Sequence, residues 1–226
     1  MTAVGALRVK ICCIESIAEA RLAIEAGASA LGLVSAMPSG PGVIPEELIA
    51  AIAASVPPPV ATFLLTSLTD PEAIIEQHRR CRTSVIQLVD AVSPAQLRRL
   101  RAGLPGIRLV PVIHVTGEEA LEQAREAAPH ADALLLDSGN PGASVPELGG
   151  TGRVHDWALS RKIVANSSVP VFLAGGLCAG NVGAAISAVR PFAVDVCSGV
   201  RTGGRLDGER LRALFGAVAE VGGRDR

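Results

Sequence analysis

RVKICC (8–13), ESIAEARLAIEA (15–26) and SALGLVS (29–35) follow one another with almost no residue between them. The first and third are short apolar runs bounded by turn residues, as buried strands are. In the middle stretch Ile17, Ala20, Ala23 and Ile24 recur near a 3.6-residue period, with charged residues opposite, so it reads as an amphipathic helix. Strand, helix, strand in so short a span is a parallel unit with a right-handed crossover.

Outward from this unit the same alternation runs to the end of the chain. Further strands are expected at 59–65, 84–88, 107–114, 132–136, 170–174 and 192–197. Helices are expected at 70–80, 94–102, 117–128 and 207–221, the last capped by Asp207. Eight such repeats in 226 residues favour a closed barrel over an open doubly wound sheet. The fold class is therefore α/β, a (β/α)8 TIM barrel. No linker or shift in composition splits the chain, so residues 1–226 read as one domain.

Composition narrows the function. Apolar residues make up 49% and aromatics 2%, so aliphatic side chains build the core. A formal charge of −1 argues against a nucleic-acid partner, which demands a basic surface. No apolar run is long enough to span a bilayer, and Met1–Leu7 lacks the pattern of a signal peptide. Five cysteines, an odd number, do not suggest a disulfide framework, and neither Cys-x-x-Cys nor His-x-x-x-His spacing suggests a metal. The expectation is a cytoplasmic protein with reduced thiols, monomeric or homodimeric, with no membrane partner.

Barrel enzymes place their chemistry at the C-terminal ends of the strands. Two residues there are suited to proton transfer. Cys12 ends the first apolar run and shares a strand face with Lys10, whose charge would favour the thiolate. Alternation turns Cys13 the other way, towards the helices. Asp137 ends the run Leu134-Leu135-Leu136, where burial would keep a carboxyl partly protonated. The plainer readings are a small buried thiol at Cys12 and a turn or helix cap at Asp137. Asp195, on the last strand, either orients a sugar hydroxyl or pairs with a neighbouring arginine. Lys10 is either a Schiff-base lysine or an ion-paired structural residue low in the barrel. His78 and His130 read as surface residues, and His114 as a strand-end residue able to face the site.

Glycine clusters follow the last three strands: Gly149-Gly150-Thr151-Gly152, Gly175-Gly176 and Ser198-Gly199. Backbone N–H groups exposed by glycine suit an anion, and barrel loops after strands seven and eight commonly hold phosphate.

Taken in order, these motifs resemble those of phosphoribosylanthranilate isomerase of tryptophan biosynthesis, over nearly the full length. Lys10-Ile11-Cys12, Glu25-Ala26-Gly27-Ala28, Leu135-Leu136-Asp137-Ser138, Gly149 to Gly152, Asp156-Trp157, Leu173 to Leu177, Asn181-Val182 and Val194 to Val200 carry the resemblance. It implies a barrel that binds a phosphorylated sugar amine and needs no cofactor or metal. The reaction implied is an Amadori rearrangement, with Cys12 as general base and Asp137 as general acid. Lys10, Asp195, Gly150, Thr151, Gly152, Gly175, Gly176, Ser198 and Gly199 are the expected substrate-binding residues. The chain departs from the pattern at Pro41, where the family has an arginine for the anthranilate carboxylate, and at Val89, where it has a histidine. Cys13 replaces a glycine, His155 a phenylalanine, and Arg201 a commonly acidic residue. Arg153 and Arg201 are the candidates for a substitute cation. The competing readings are a phosphosugar lyase using Lys10 and a non-catalytic paralogue that binds a phosphate ligand.

Overall fold

Parity along the strands decides which side chains meet. In a computed structural model that describes residues 7–38, 40–139 and 156–224, eight parallel strands close into a barrel in chain order. They are β1 (Arg8–Ile11), β2 (Ala30–Val34), β3 (Ala61–Thr66), β4 (Val85–Leu88), β5 (Arg108–His114), β6 (Leu134–Asp137), β7 (Val171–Leu173) and β8 (Ala193–Val196). Closure is made by β1 on β8, with Lys10 opposite Asp195 and Ile11 opposite Val196.

Among the described residues eight α-helices surround the barrel: α1 (Ile17–Ala26), α2 (Glu46–Ser55), α3 (Pro71–Cys81), α4 (Pro94–Gly103), α5 (Glu119–Ala127), α6 (Trp157–Asn166), α7 (Val182–Val189) and α8 (Gly208–Arg224). Their starts are chemically marked. Ser16 accepts from the Glu19 N–H, Asp70 from Ala73 with Pro71 behind it, and Ser93 with Gln96 forms a capping box. Asp207 accepts from the N–H groups of Glu209 and Arg210, the capping role expected of it.

Outward residues such as Leu31, Leu64, Ile86, Leu134 and Val194 are fully buried under the helices. Each contributes about 1.5–3 kcal/mol by leaving water. The inward residues Phe63, Leu65, Val85, Val110, Leu135 and Phe172 fill the barrel, with Phe63 and Phe172 edge to face at 5.7 Å. The same parity sends Lys10, Gln87, Asp137 and Asp195 inward, all buried. With His114, on the same parity of β5 as Val110, these buried polar residues stand out in an otherwise apolar barrel and mark where function lies.

A short antiparallel hairpin follows β8, formed by β9 (Arg201–Thr202) and β10 (Arg205–Leu206). One sequence-based expectation fails outside the barrel mouth. His78 is buried, not on the surface, because its ring meets the Thr83 carbonyl at 2.7 Å and ties α3 to the start of β4.

Candidate active site

A cavity of about 650 Å³, including its open mouth, lies at the C-terminal ends of the strands. Cys12, Asp137 and Asp195 line it together with Gln87, Gly175, Gly176 and Ser198. The candidate acid and base, far apart in the chain, thus share one space.

Cys12 is the first residue beyond β1, held by its N–H donating to the Val196 carbonyl at 2.9 Å. Its sulfur and the Lys10 ammonium point to the same side, towards Gly32 of β2. A Cβ at Gly32 would stand 2.7 Å from Cys12 Sγ and 3.0 Å from Lys10 Nζ, so only glycine leaves room for both groups. The Cys12 thiol is held below its ordinary pKa, chiefly by a hydrogen bond from the Cys13 side chain, with the Lys10 charge adding to it against the cost of burial.

Asp137 ends β6, with its Oδ1 accepting from the Ser138 N–H at 2.7 Å. Burial raises its pKa above the usual carboxylate range, more than the Ser138 N–H and the nearby His114 lower it. One group is pushed towards its base form and the other towards its acid form. Such a divergence is what paired acid–base chemistry requires.

Lys10 is fully buried and gives its ammonium to Asp195 Oδ2 at 2.8 Å. It lies 5.2 Å from the centre of the Phe63 ring and is not among the cavity-lining residues. Burial alone would lower its pKa, yet Asp195 and then Cys12 raise it further, so the lysine stays charged. The partner of Asp195 is therefore this lysine and not an arginine. The other oxygen, Asp195 Oδ1, is buried without a hydrogen bond among the described residues, as is Gln87 Oε1. Both residues line the cavity, and Gln87, which opens the stretch Gln87-Leu88-Val89-Asp90 where the chain departs from the family pattern, was not among the expected site residues.

The glycines after β7 and β8 serve geometry as well as any ligand. Gly175 and Gly176 take φ of 87° and 61°, open to glycine at no steric cost. Gly199 packs so closely on the neighbouring loop that a Cβ there would lie 2.0 Å from the Leu177 carbonyl oxygen. Gly199 does not line the cavity, whereas Ser198 beside it does. Gly150, Thr151 and Gly152 lie outside the described residues, as do Arg153 and His155.

Three expectations are corrected. Cys13 does not turn towards the helices but lines the cavity. Its φ of 61° is left-handed and breaks the strand alternation. Arg201 is not a substitute cation for the site. Its side chain is 7% exposed, and it bonds Glu19 at 3.1 Å, the Gly204 carbonyl at 2.9 Å and the carbonyls of Cys12 and Cys13. His114, though at a strand end, is not among the lining residues; its Nε2 meets the Val89 carbonyl at 3.0 Å.

The far wall of the cavity is apolar. Val34, Met37, Pro41, Leu65 and Val89 line it. The loop bearing Pro41 is tied back to β2 by a bridge between Val34 and Val43 and by the Ile44 N–H on the Val34 carbonyl at 3.0 Å.

The profile of the N-(5'phosphoribosyl)anthranilate (PRA) isomerase family matches residues 9–217. The chain belongs to the PRA isomerase family. The N-(5'-phosphoribosyl)anthranilate isomerase of Methanocella arvoryzae is 36% identical over 208 residues, covering 92% of this chain and 95% of that protein. Among solved structures, phosphoribosyl anthranilate isomerase of Thermotoga maritima superposes with a TM-score of 0.81 at 29% identity, covering 95% of this chain and 99% of the other. Another PRA isomerase, solved in complex with reduced 1-(o-carboxyphenylamino)-1-deoxyribulose 5-phosphate, has a TM-score of 0.79 at 27% identity, with 95% and 99% covered. A PRA isomerase barrel thus carries the cysteine and aspartate at the ends of β1 and β6, beside an apolar wall that includes Pro41 and Val89.

Proposed function

We propose that this family member isomerises N-(5'-phosphoribosyl)anthranilate, or a close N-phosphoribosyl amine, to the 1-deoxyribulose 5-phosphate product. The observation that carries the reading is that Cys12 and Asp137 line one cavity, in surroundings that push the thiol pKa down and the carboxyl pKa up. Asp137 protonates the furanose ring oxygen and the ring opens to an iminium ion. The Cys12 thiolate then removes the proton from C2, and the enolamine formed becomes the ketone. Each transfer contributes on the order of 10²–10⁴ in rate. Asp195 Oδ1 and Gln87 supply acceptors for sugar hydroxyls, Lys10 fixes the Asp195 carboxyl through its Oδ2, and Gly175, Gly176 and Ser198 receive the phosphate.

The lyase alternative loses support from the burial of Lys10, whose ammonium is fully enclosed and engaged by Asp195. A Schiff base there would first have to strip a buried carboxylate of its partner.

The deciding experiment follows phosphoribosylanthranilate fluorescence, with the substrate made in situ, for wild type, Cys12→Ser and Asp137→Asn. The expected result is turnover in wild type and a loss of at least about a hundredfold in each variant. The pH–rate profile should rise through a thiol below its ordinary value of about 8.5 and fall through a raised carboxyl. Absence of turnover in folded wild type overturns phosphoribosylanthranilate as the substrate and shifts the reading to a different N-phosphoribosyl amine or to a phosphate-binding paralogue. Sodium borohydride trapping of substrate on Lys10 would instead establish the lyase.

A further inference from the structure

Three of the five cysteines, Cys12, Cys13 and Cys197, meet in the mouth of one cavity. Cys13 follows β1 and Cys197 follows β8, and these two strands are direct partners through Ile11 and Val196. Neighbouring strands run about 4.8 Å apart, within the Cα spacing that a disulfide spans. The sulfurs of Cys13 and Cys197 are already in contact at 2.7 Å.

The backbone holds them in that position. A residue at 13 in extended conformation would send its side chain outward, but φ of 61° swings the Cys13 thiol into the mouth. Its carbonyl accepts from Arg201, and Gly42 is packed so near that a Cβ there would lie 2.5 Å from Cys13 Cβ. Cys197 is half-buried, so a small solute reaches it from the mouth, while Cys13 is 4% exposed. The other two cysteines stand apart from this group: Cys81 is fully buried on α3, and Cys178 does not line the cavity.

We propose that Cys13 and Cys197 are a reversible disulfide site that controls the neighbouring Cys12. The proposal rests on the reading of Cys12 as the base. The oxidant is a hydroperoxide. The Cys197 thiolate attacks its O–O bond, giving a sulfenic acid and releasing the alcohol after proton transfer. The Cys13 sulfur then displaces the hydroxyl, which leaves as water with the Cys13 proton. Two thiols and one hydroperoxide thus become one disulfide, one alcohol and one water, and a dithiol reductant reverses the change.

The consequence for Cys12 follows from its surroundings. The groups facing its sulfur are the Cys13 thiol, the Lys10 ammonium and the Asp195 carboxylate. The Cys13 S–H is the largest influence favouring the Cys12 thiolate. A disulfide consumes that donor and leaves Lys10, with the weaker Cys13 backbone N–H, to oppose burial and Asp195. The oxidised protein therefore holds Cys12 as a poorer base.

The test uses intact protein treated with tert-butyl hydroperoxide, then peptide mapping of disulfides and timed iodoacetamide labelling of Cys12 at neutral pH. Mapping is expected to find Cys13 joined to Cys197, with Cys12 labelling slowed about tenfold, the effect of one pKa unit on thiolate fraction. Dithiothreitol should restore it. In Cys197→Ser the dithiothreitol-reversible part should vanish, each protein being referred to its own reduced form. Either no Cys13–Cys197 bond under conditions that oxidise Cys12, or a mapped bond with unchanged Cys12 labelling, overturns the proposal. Isomerase turnover is read in parallel on the reduced protein. Its absence alone counts against the catalytic assignment, because labelling reports on Cys12 without substrate.

Discussion

Asp137 is stabilising for function and destabilising for the fold. Its folded pKa is raised, so whatever it adds to stability is fully present below its unfolded pKa of about 3.9 and is lost as pH rises through the folded value. At neutral pH the unfolded chain ionises this carboxyl freely while burial in the folded chain resists it, and that difference costs stability. Asp137→Asn keeps the oxygen that accepts from Ser138 and removes the charge. The expected outcome is a melting temperature several degrees above wild type at pH 7, shrinking to nothing near pH 4, alongside the loss of turnover. Thermal scans across that range check it; an unchanged difference at all pH values would show that Asp137 is not desolvated. At this scale the chain was largely readable. Run ends and period-two alternation placed Lys10, Cys12, Asp137 and Asp195 on the inner face. Cys13 was not readable, because its left-handed φ depends on Gly42 and Arg201, which pack against it from elsewhere in the sequence.

Among the elements, the hairpin β9–β10 has no hydrophobic pattern that would reveal it, yet it organises the first loop. Glu19, in the first turn of α1, accepts from the N–H groups of Glu15 and Leu206 and from Arg201. Burial alone would raise its pKa, but Arg201 and those two N–H groups outweigh it and hold the carboxyl below its ordinary range. Arg201 passes the constraint on to the carbonyls of Cys12 and Cys13. Arg201→Leu leaves the part-buried Glu19 carboxylate with no cation and only the Glu15 and Leu206 N–H groups, and should cost up to about 3 kcal/mol, the low end for breaking a buried pair. Chemical denaturation measures this. The double variant Glu19→Arg with Arg201→Glu restores opposite charges but not the donor to the two carbonyls. It should recover most of the stability and little of the turnover, whereas full recovery of both would make the pair a mere charge contact. The departure at Arg201 was visible in the sequence. Its partner was not, since Glu19 lies 182 residues away.

For the whole molecule, barrel closure sets the site. Gly175, Gly176 and Ser198 belong to different loops, and only the pairing of β7 with β8 and of β8 with β1 brings them beside Cys12. A ligand held by that arrangement binds the folded chain alone. Inorganic phosphate should therefore raise the melting temperature with the logarithm of its concentration, reaching about 2.7 kcal/mol at a hundredfold excess over Kd. Sodium chloride at matched ionic strength is the control. An equal rise with chloride would mean that the glycine loops serve packing only, as Gly199 against Leu177 already does.

The order of strands and helices, the inward face of each strand and the residues at the strand ends follow from the sequence alone. They depend on local periodicity, on caps such as Ser16 and Asp70, and on glycine at a few turns. Closure, the burial of Lys10 on Asp195, the employment of Arg201 and the meeting of Cys13 with Cys197 were decided by tertiary structure. Each is a contact between groups more than 180 residues apart. No local pattern encodes such a partner, because which charge is desolvated and which thiol is touched depends on what the folded barrel places opposite.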